Sequence, residues 1–177
     1  MKHLRRSTAT ALAACSILLA VACGYHVAGT ASRLPPDVKT IAIPVFTNKS
    51  TRFQIEQKVS AAVTRQFLEQ TSFHVTPNPS GADAELKGTI DSVSSGVLTY
   101  NPNTGAATTF QIQVNASVQL IDLHTKQVLF SNPHYIFREE YQVSQSVPAL
   151  YEESESALNR LSQDFARTLV TDIVENF

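Results

Sequence analysis

The chain has 177 residues, 43% of them hydrophobic and 16% charged, with only six Gly and eight Pro. That balance excludes a disordered or fibrous chain and suits one domain closing one apolar core. Apart from Lys2, Arg5 and Arg6 at the start, eleven basic residues face fifteen acidic ones, and this acidic balance argues against nucleic acid as a ligand.

The three leading cations are followed by sixteen uncharged residues, Ser7 to Ala22, ending in Ile17, Leu18, Leu19, Ala20, Val21 and Ala22. A membrane-spanning helix needs about 20 apolar residues, so this run reads as a signal peptide covering residues 1–22. Small residues precede two cysteines. Leu12-Ala13-Ala14-Cys15 is locally the nearer match to a bacterial lipoprotein processing box, but cleavage there would strand Ile17–Val21 on the mature chain. Cleavage between Ala22 and Cys23 uses the whole apolar run. Cys23 then becomes the lipidated first residue, with ordinary secretory cleavage or a retained anchor as the alternatives. Three acyl chains at about 0.8 kcal/mol per buried methylene would hold it far more firmly than one chain could. Cys23 is the only cysteine after the leader, so no disulfide framework is expected.

Residues 23–37, with Gly29, Pro35 and Pro36, read as the lipidated start and a tether. A single α+β domain is expected over 38–177. Val38 to Phe46 is a first strand, with Pro44 placing it near an edge or a strand end. Thr47 to Ser50 has turn chemistry, and Thr51 with Gln54 matches a capping box for a helix reaching about Gln70. Its apolar stripe is Ile55, Val59, Ala62, Val63 and Phe67. Phe73-His74-Val75 is a short strand closed by the breaker cluster Pro77 to Gly81.

Leu86 to Tyr100 alternates and then changes parity, predicting a bulge near Asp91 or Gly96. Asn101 to Gly105 is a turn. The returning strand has the plainest pattern in the chain: Phe110, Ile112, Val114, Ala116, Val118 and Leu120 alternate with Gln111, Gln113, Asn115, Ser117 and Gln119, as in a half-buried antiparallel strand. His124-Thr125-Lys126 turns the chain into a strand interrupted at Asn132-Pro133. A closing helix has Ser146 as its cap, Pro148 in its first turn, and Glu152, Glu153 and Glu155 near the positive end of its dipole. Leu150, Leu158, Leu161, Phe165, Leu169 and Ile173 form its core stripe. The predicted fold is an antiparallel or mixed sheet of four to five strands with two long helices packed on one face.

Catalytic signatures are missing. His26, His74, His124 and His134 have no paired ligand spacing, so neither a metal nor a cofactor is expected. No nucleophile motif or phosphate loop occurs, and Asp83 with Glu85 reads as an exposed edge rather than a catalytic pair. The unusual feature is the uncharged row Gln111, Gln113, Asn115, Ser117 and Gln119, where Lys and Glu would be the ordinary solubilising choice. It is either a plain solvated face or a wet protein interface.

Cys23-Gly24-Tyr25-His26, the segment Thr109 to Val118 (TFQIQVNASV) and the long closing helix together resemble the lipopolysaccharide-assembly lipoprotein family, LptE. The resemblance implies a non-enzymatic outer-membrane lipoprotein that plugs the lumen of an LptD-type β-barrel and supports lipopolysaccharide delivery to the cell surface. Gly24, where an Asp would signal avoidance of the outer membrane, agrees with that location. Lipopolysaccharide itself is a candidate ligand. The hairpin tip from Tyr100 to Ala107 has no Lys or Arg, so the binding residues are unassigned, with Arg52, Lys87 and Arg138 as candidate phosphate contacts. Thr40 to Asn48 followed by a helix also resembles lipoproteins that activate peptidoglycan synthases or form secretion pores. An envelope hydrolase is a third reading, lacking a recognisable set of convergent polar groups.

Overall fold

The computed structural model describes residues 34–143 and 147–175. The elements are β1 (Thr40–Ala42), β2 (Thr47–Asn48), α1 (Ile55–Gln70), β3 (His74–Thr76), β4 (Ala84–Tyr100), β5 (Ala107–Asp122), β6 (Val128–Gln142) and α2 (Val147–Glu175). One sheet runs in the order β3-β1-β4-β5-β6, and β2 pairs with β4. The pairs among β1, β2, β3 and β4 are parallel, whereas β4-β5-β6 is an antiparallel meander. The α+β class with a mixed sheet and two helices is as predicted. The sheet has six strands because the chain leaves β4 after Ala42 and rejoins it at Thr47.

That break follows from Pro44, which has no N–H for a ladder. Thr47 and Asn48, whose composition suggested a turn, pair with Thr89 and Ile90 of β4. In between, Phe46 turns inward, its backbone N–H donating to Ser60 Oγ at 2.9 Å. The ring lies where a Cβ on Gly88 would stand, only 2.2 Å away. Gly88→Ala should therefore cost about 2 to 3 kcal/mol through overpacking, measured by urea unfolding. A cost below about 0.5 kcal/mol would mean that Phe46 moves aside freely.

The capping box does not form. Gln54 precedes α1 in the left-handed region at φ 62° and gives no side-chain cap. Asn48 organises this loop instead: its Nδ2 donates to the Arg52 carbonyl and Glu56 Oε2, both at 2.8 Å, while its Oδ1 accepts from Ser50 N and Oγ. Thr51 is left exposed. The predicted stripe holds, with Ile55, Val59, Val63 and Phe67 fully buried.

In β4 the pairing skips Asp91, as the parity change predicted, and a second irregularity falls at Leu98, while Gly96 pairs normally with Gln111. At the β4-β5 turn Gly105 takes φ 68° and donates to the Asn101 carbonyl at 2.8 Å. The expected interruption at Asn132-Pro133 is a register shift inside one continuous β6. A proline is tolerated there because β6 is an edge strand.

Leu158, Leu161, Phe165, Leu169 and Ile173 of α2 are buried as predicted. Ser146 lies outside the described residues, as do the side chains of Pro148 and Leu150. Glu155 serves less as a dipole partner than as a bridge, accepting from Arg52 at 2.6 Å and Lys58 at 2.9 Å. Both helices pack on the face bearing Leu86, Ile90, Ile112, Val114 and Leu120. Leu34, assigned by sequence to the tether, is 6% exposed and belongs to this core. Among the described residues no helix is long and apolar enough to cross a membrane.

Candidate functional site

The alternation of β5 divides the sheet into two surfaces. Ile112, Val114, Ala116, Val118 and Leu120 are buried under the helices, while Gln111, Gln113, Asn115 and Ser117 are half-buried and Gln119 is exposed on the helix-free side. Register assigns them neighbours that a single-strand pattern cannot show. Ser94 pairs with Gln113, Ser92 with Asn115, and Thr89 with Ser117; from β6, Arg138 pairs with Gln113 and Ile136 with Asn115. The bulge at Asp91 is what turns Ser92 and Ser94 to this side. Its parity change was the one sequence signal that could have identified them.

These side chains form a connected network across three strands. Arg138 Nε donates to Gln113 Oε1 at 2.8 Å, Gln113 Nε2 to Asn115 Oδ1 at 3.2 Å, and Asn115 Nδ2 to Ser92 Oγ at 2.7 Å. Further along, Gln119 Nε2 reaches Ser131 Oγ at 3.5 Å. Amides and hydroxyls each carry more than one hydrogen-bonding position, so a network satisfied internally still has donors and acceptors directed outward. The middle of the face, from Ser117 to Gln113 on β5 and Thr89 to Ser94 on its neighbour, carries no charge apart from the bulged Asp91, whose Oδ1 lies 3.5 Å from Lys49 Nζ.

The three candidate phosphate contacts do not converge. Arg52 lies on the helix side, donating to Glu155 Oε1 and, at 3.1 Å, to Ser154 Oγ. Lys87 pairs with Glu85 at 3.3 Å and stands opposite Gln119, whereas Arg138 stands opposite Gln113. Six residues of strand separate those positions, roughly 20 Å. The hairpin tip exposes Leu98 and Tyr100 rather than cations.

Asp83 is not at an exposed edge, because β4 lies between β1 and β5. Its Oδ2 accepts from the Lys39 and Thr40 N–H groups at 2.9 and 2.8 Å, and Oδ1 lies 3.2 Å from His124 Nε2. The backbone donors of Lys39 and Thr40, followed by His124, hold its carboxyl below the usual range. Asp122 is lowered in the same way, chiefly by Thr125 N–H, as it caps the β5-β6 turn. A depressed folded-state pKa stabilises above the unfolded value and is lost as pH falls through the folded value. Stability should therefore decline below about pH 4, and Asp83→Asn should flatten that decline. Urea midpoints between neutral and acid pH measure it; parallel curves would remove Asp83 from the account.

His74 pairs with Thr40 of β1, His134 falls in the register shift of β6, and His26 lies outside the described residues. Among the described residues no three His, Cys, Asp or Glu side chains are grouped as a metal would require. Ala22 and Cys23 also lie outside the described residues.

The fold recurs in solved lipoproteins. An uncharacterised lipoprotein B from Nitrosomonas europaea superposes with a TM-score of 0.53 at 13% identity, covering 80% of this chain and 88% of that one. A protein described as a lipoprotein from Caulobacter crescentus gives 0.50 at 10% identity, covering 73% and 88%. At such identities the likeness is one of fold. No curated protein matches the chain significantly in sequence. The model of the lipopolysaccharide-assembly family, however, matches residues 38–173, from Val38 just before β1 to Ile173 in the last buried turn of α2. The chain belongs to the LptE family of lipopolysaccharide-assembly proteins.

Proposed function

We propose that this chain is an outer-membrane lipoprotein, cleaved after Ala22 and anchored by acyl chains on Cys23. It occupies the lumen of an LptD-type β-barrel, helps that barrel assemble and supports lipopolysaccharide delivery to the cell surface. The observation that carries this reading is the helix-free face centred on Gln113 and Asn115. A barrel interior is polar and water-lined. The amides and hydroxyls of this face exchange hydrogen bonds with it, directly or through water, and around Asn115 they do so without the desolvation cost of a buried charge. The role is one of binding; it calls for no catalytic group and no cofactor.

Tagged protein purified from solubilised outer membranes should bring a large β-barrel with it. Recovery alone, or with a peptidoglycan synthase, would overturn the reading. Cys23→Ser should move the protein from the membrane to the soluble fraction, and unchanged membrane association would refute the anchor.

A further inference from the structure

β6 ends the sheet, and among the described residues no strand pairs with its outer edge. Its first half is disrupted by the shift across Pro133 and His134, but from Tyr135, opposite Ala116, to Gln142, opposite Thr109, the register runs without a break. Val143 N–H donates to the Thr108 carbonyl at 3.1 Å. Backbone direction alternates along an antiparallel ladder, so the odd-numbered residues of this stretch face β5. Ile136, Arg138, Glu140 and Gln142 direct their N–H and C=O groups to the open edge. The Glu140 carbonyl, which Arg160 Nη2 approaches to 3.5 Å from α2, agrees with that direction.

We propose that this edge pairs antiparallel with the same edge of a second copy, centred on Glu139, giving a two-fold dimer with one continuous sheet. Charge complementarity selects both the partner and the register. An axis normal to the sheet keeps each face on its own side, so even-numbered residues meet even-numbered ones. Centred on Glu139, Arg138 stands opposite Glu140 of the second copy, and the symmetry repeats the pair. On the helix side Phe137 meets Tyr141, also twice. A slip to either side would place Arg138 against Arg138 or Glu140 against Glu140. The two Glu139 side chains meet at the axis, each already held by its own Arg160 at 2.5 Å. Charges on an edge strand ordinarily discourage pairing. Here the order Arg-Glu-Glu makes them self-complementary.

Sedimentation of the full lipidated chain, purified in density-matched detergent without a barrel, tests the proposal over a concentration series. The expected result is a monomer–dimer equilibrium. Arg138→Glu and Glu140→Arg should each weaken it by about tenfold or more, since two cross-strand pairs change from attraction to repulsion. Mixing the two variants should restore the dimer, because the carboxylate introduced in one then meets the guanidinium introduced in the other; this recovery also shows that both are folded. A wild-type chain that stays monomeric, a dimer indifferent to either reversal, or a mixture without recovery would each overturn the proposal. It stands apart from the barrel reading, because no barrel is present in the measurement.

Discussion

Replacing Phe165 with alanine should remove about 4 kcal/mol of stability, within the range for emptying a buried aromatic site. Phe165 is fully buried, and three rings converge on it edge-on: Phe137 at 5.0 Å, Tyr135 at 5.6 Å and Phe46 at 6.2 Å between centroids. Two come from β6 and one from the segment between β1 and β2, so this one side chain ties α2 to two separate parts of the chain on the same face of the sheet. The three remaining rings cannot collapse onto a methyl group without moving strands, and the cavity therefore persists. Since a domain of this size has only about 5 to 15 kcal/mol in total, a urea titration should show the midpoint falling by about a quarter or more. Phe165→Leu should retain over half of the loss. A Phe165→Ala cost below about 1 kcal/mol would show that the aromatic cluster is not the joint between helix and sheet.

Asn115→Lys should separate stability from partner binding. Asn115 lies at the centre of the polar network, between Gln113 and Ser92, on a half-buried, helix-free face. In the free protein a lysine there can extend into water, and the fold should lose no more than about 1 kcal/mol. Against a barrel wall the same ammonium is buried without a partner, at a cost of several kcal/mol. The amount of barrel recovered with the tagged protein should fall more than tenfold. Gln119→Lys, at the exposed margin, should have little effect. Equal recovery with Asn115→Lys would mean that this face looks onto solvent in the assembled state.

The elements that were legible in the sequence are those governed by local periodicity. The stripes of α1 and α2 and the alternation of β5 each repeat a pattern over three or more turns or pleats, long enough for burial on one side to be unambiguous. The bulge at Asp91 was legible for the same reason, as a parity change inside a long strand. Readings based on a few residues fared less well. Thr51 and Gln54 have capping-box identities, yet Asn48 takes over the loop's hydrogen bonds. Thr47-Asn48 has turn chemistry, yet β4 offers it a ladder. Asp83 looked like the exposed start of a strand, but is half-buried and hydrogen-bonded because β1 arrives from elsewhere in the chain to lie beside it.

The uncharged row from Gln111 to Gln119 shows where the division falls. That these residues share one face follows from the two-residue repeat of a strand and required no structure. That the row is widened by Ser92, Ser94, Thr89 and Arg138 was decided by strand order and register. So was the outer edge of β6, unpaired among the described residues, where Arg138 and Glu140 point the same way. Sequence by itself determined which residues turn toward water, because side-chain direction is a local property of the backbone. Only tertiary structure decided which of them stand together, because pairing joins residues that are distant along the chain.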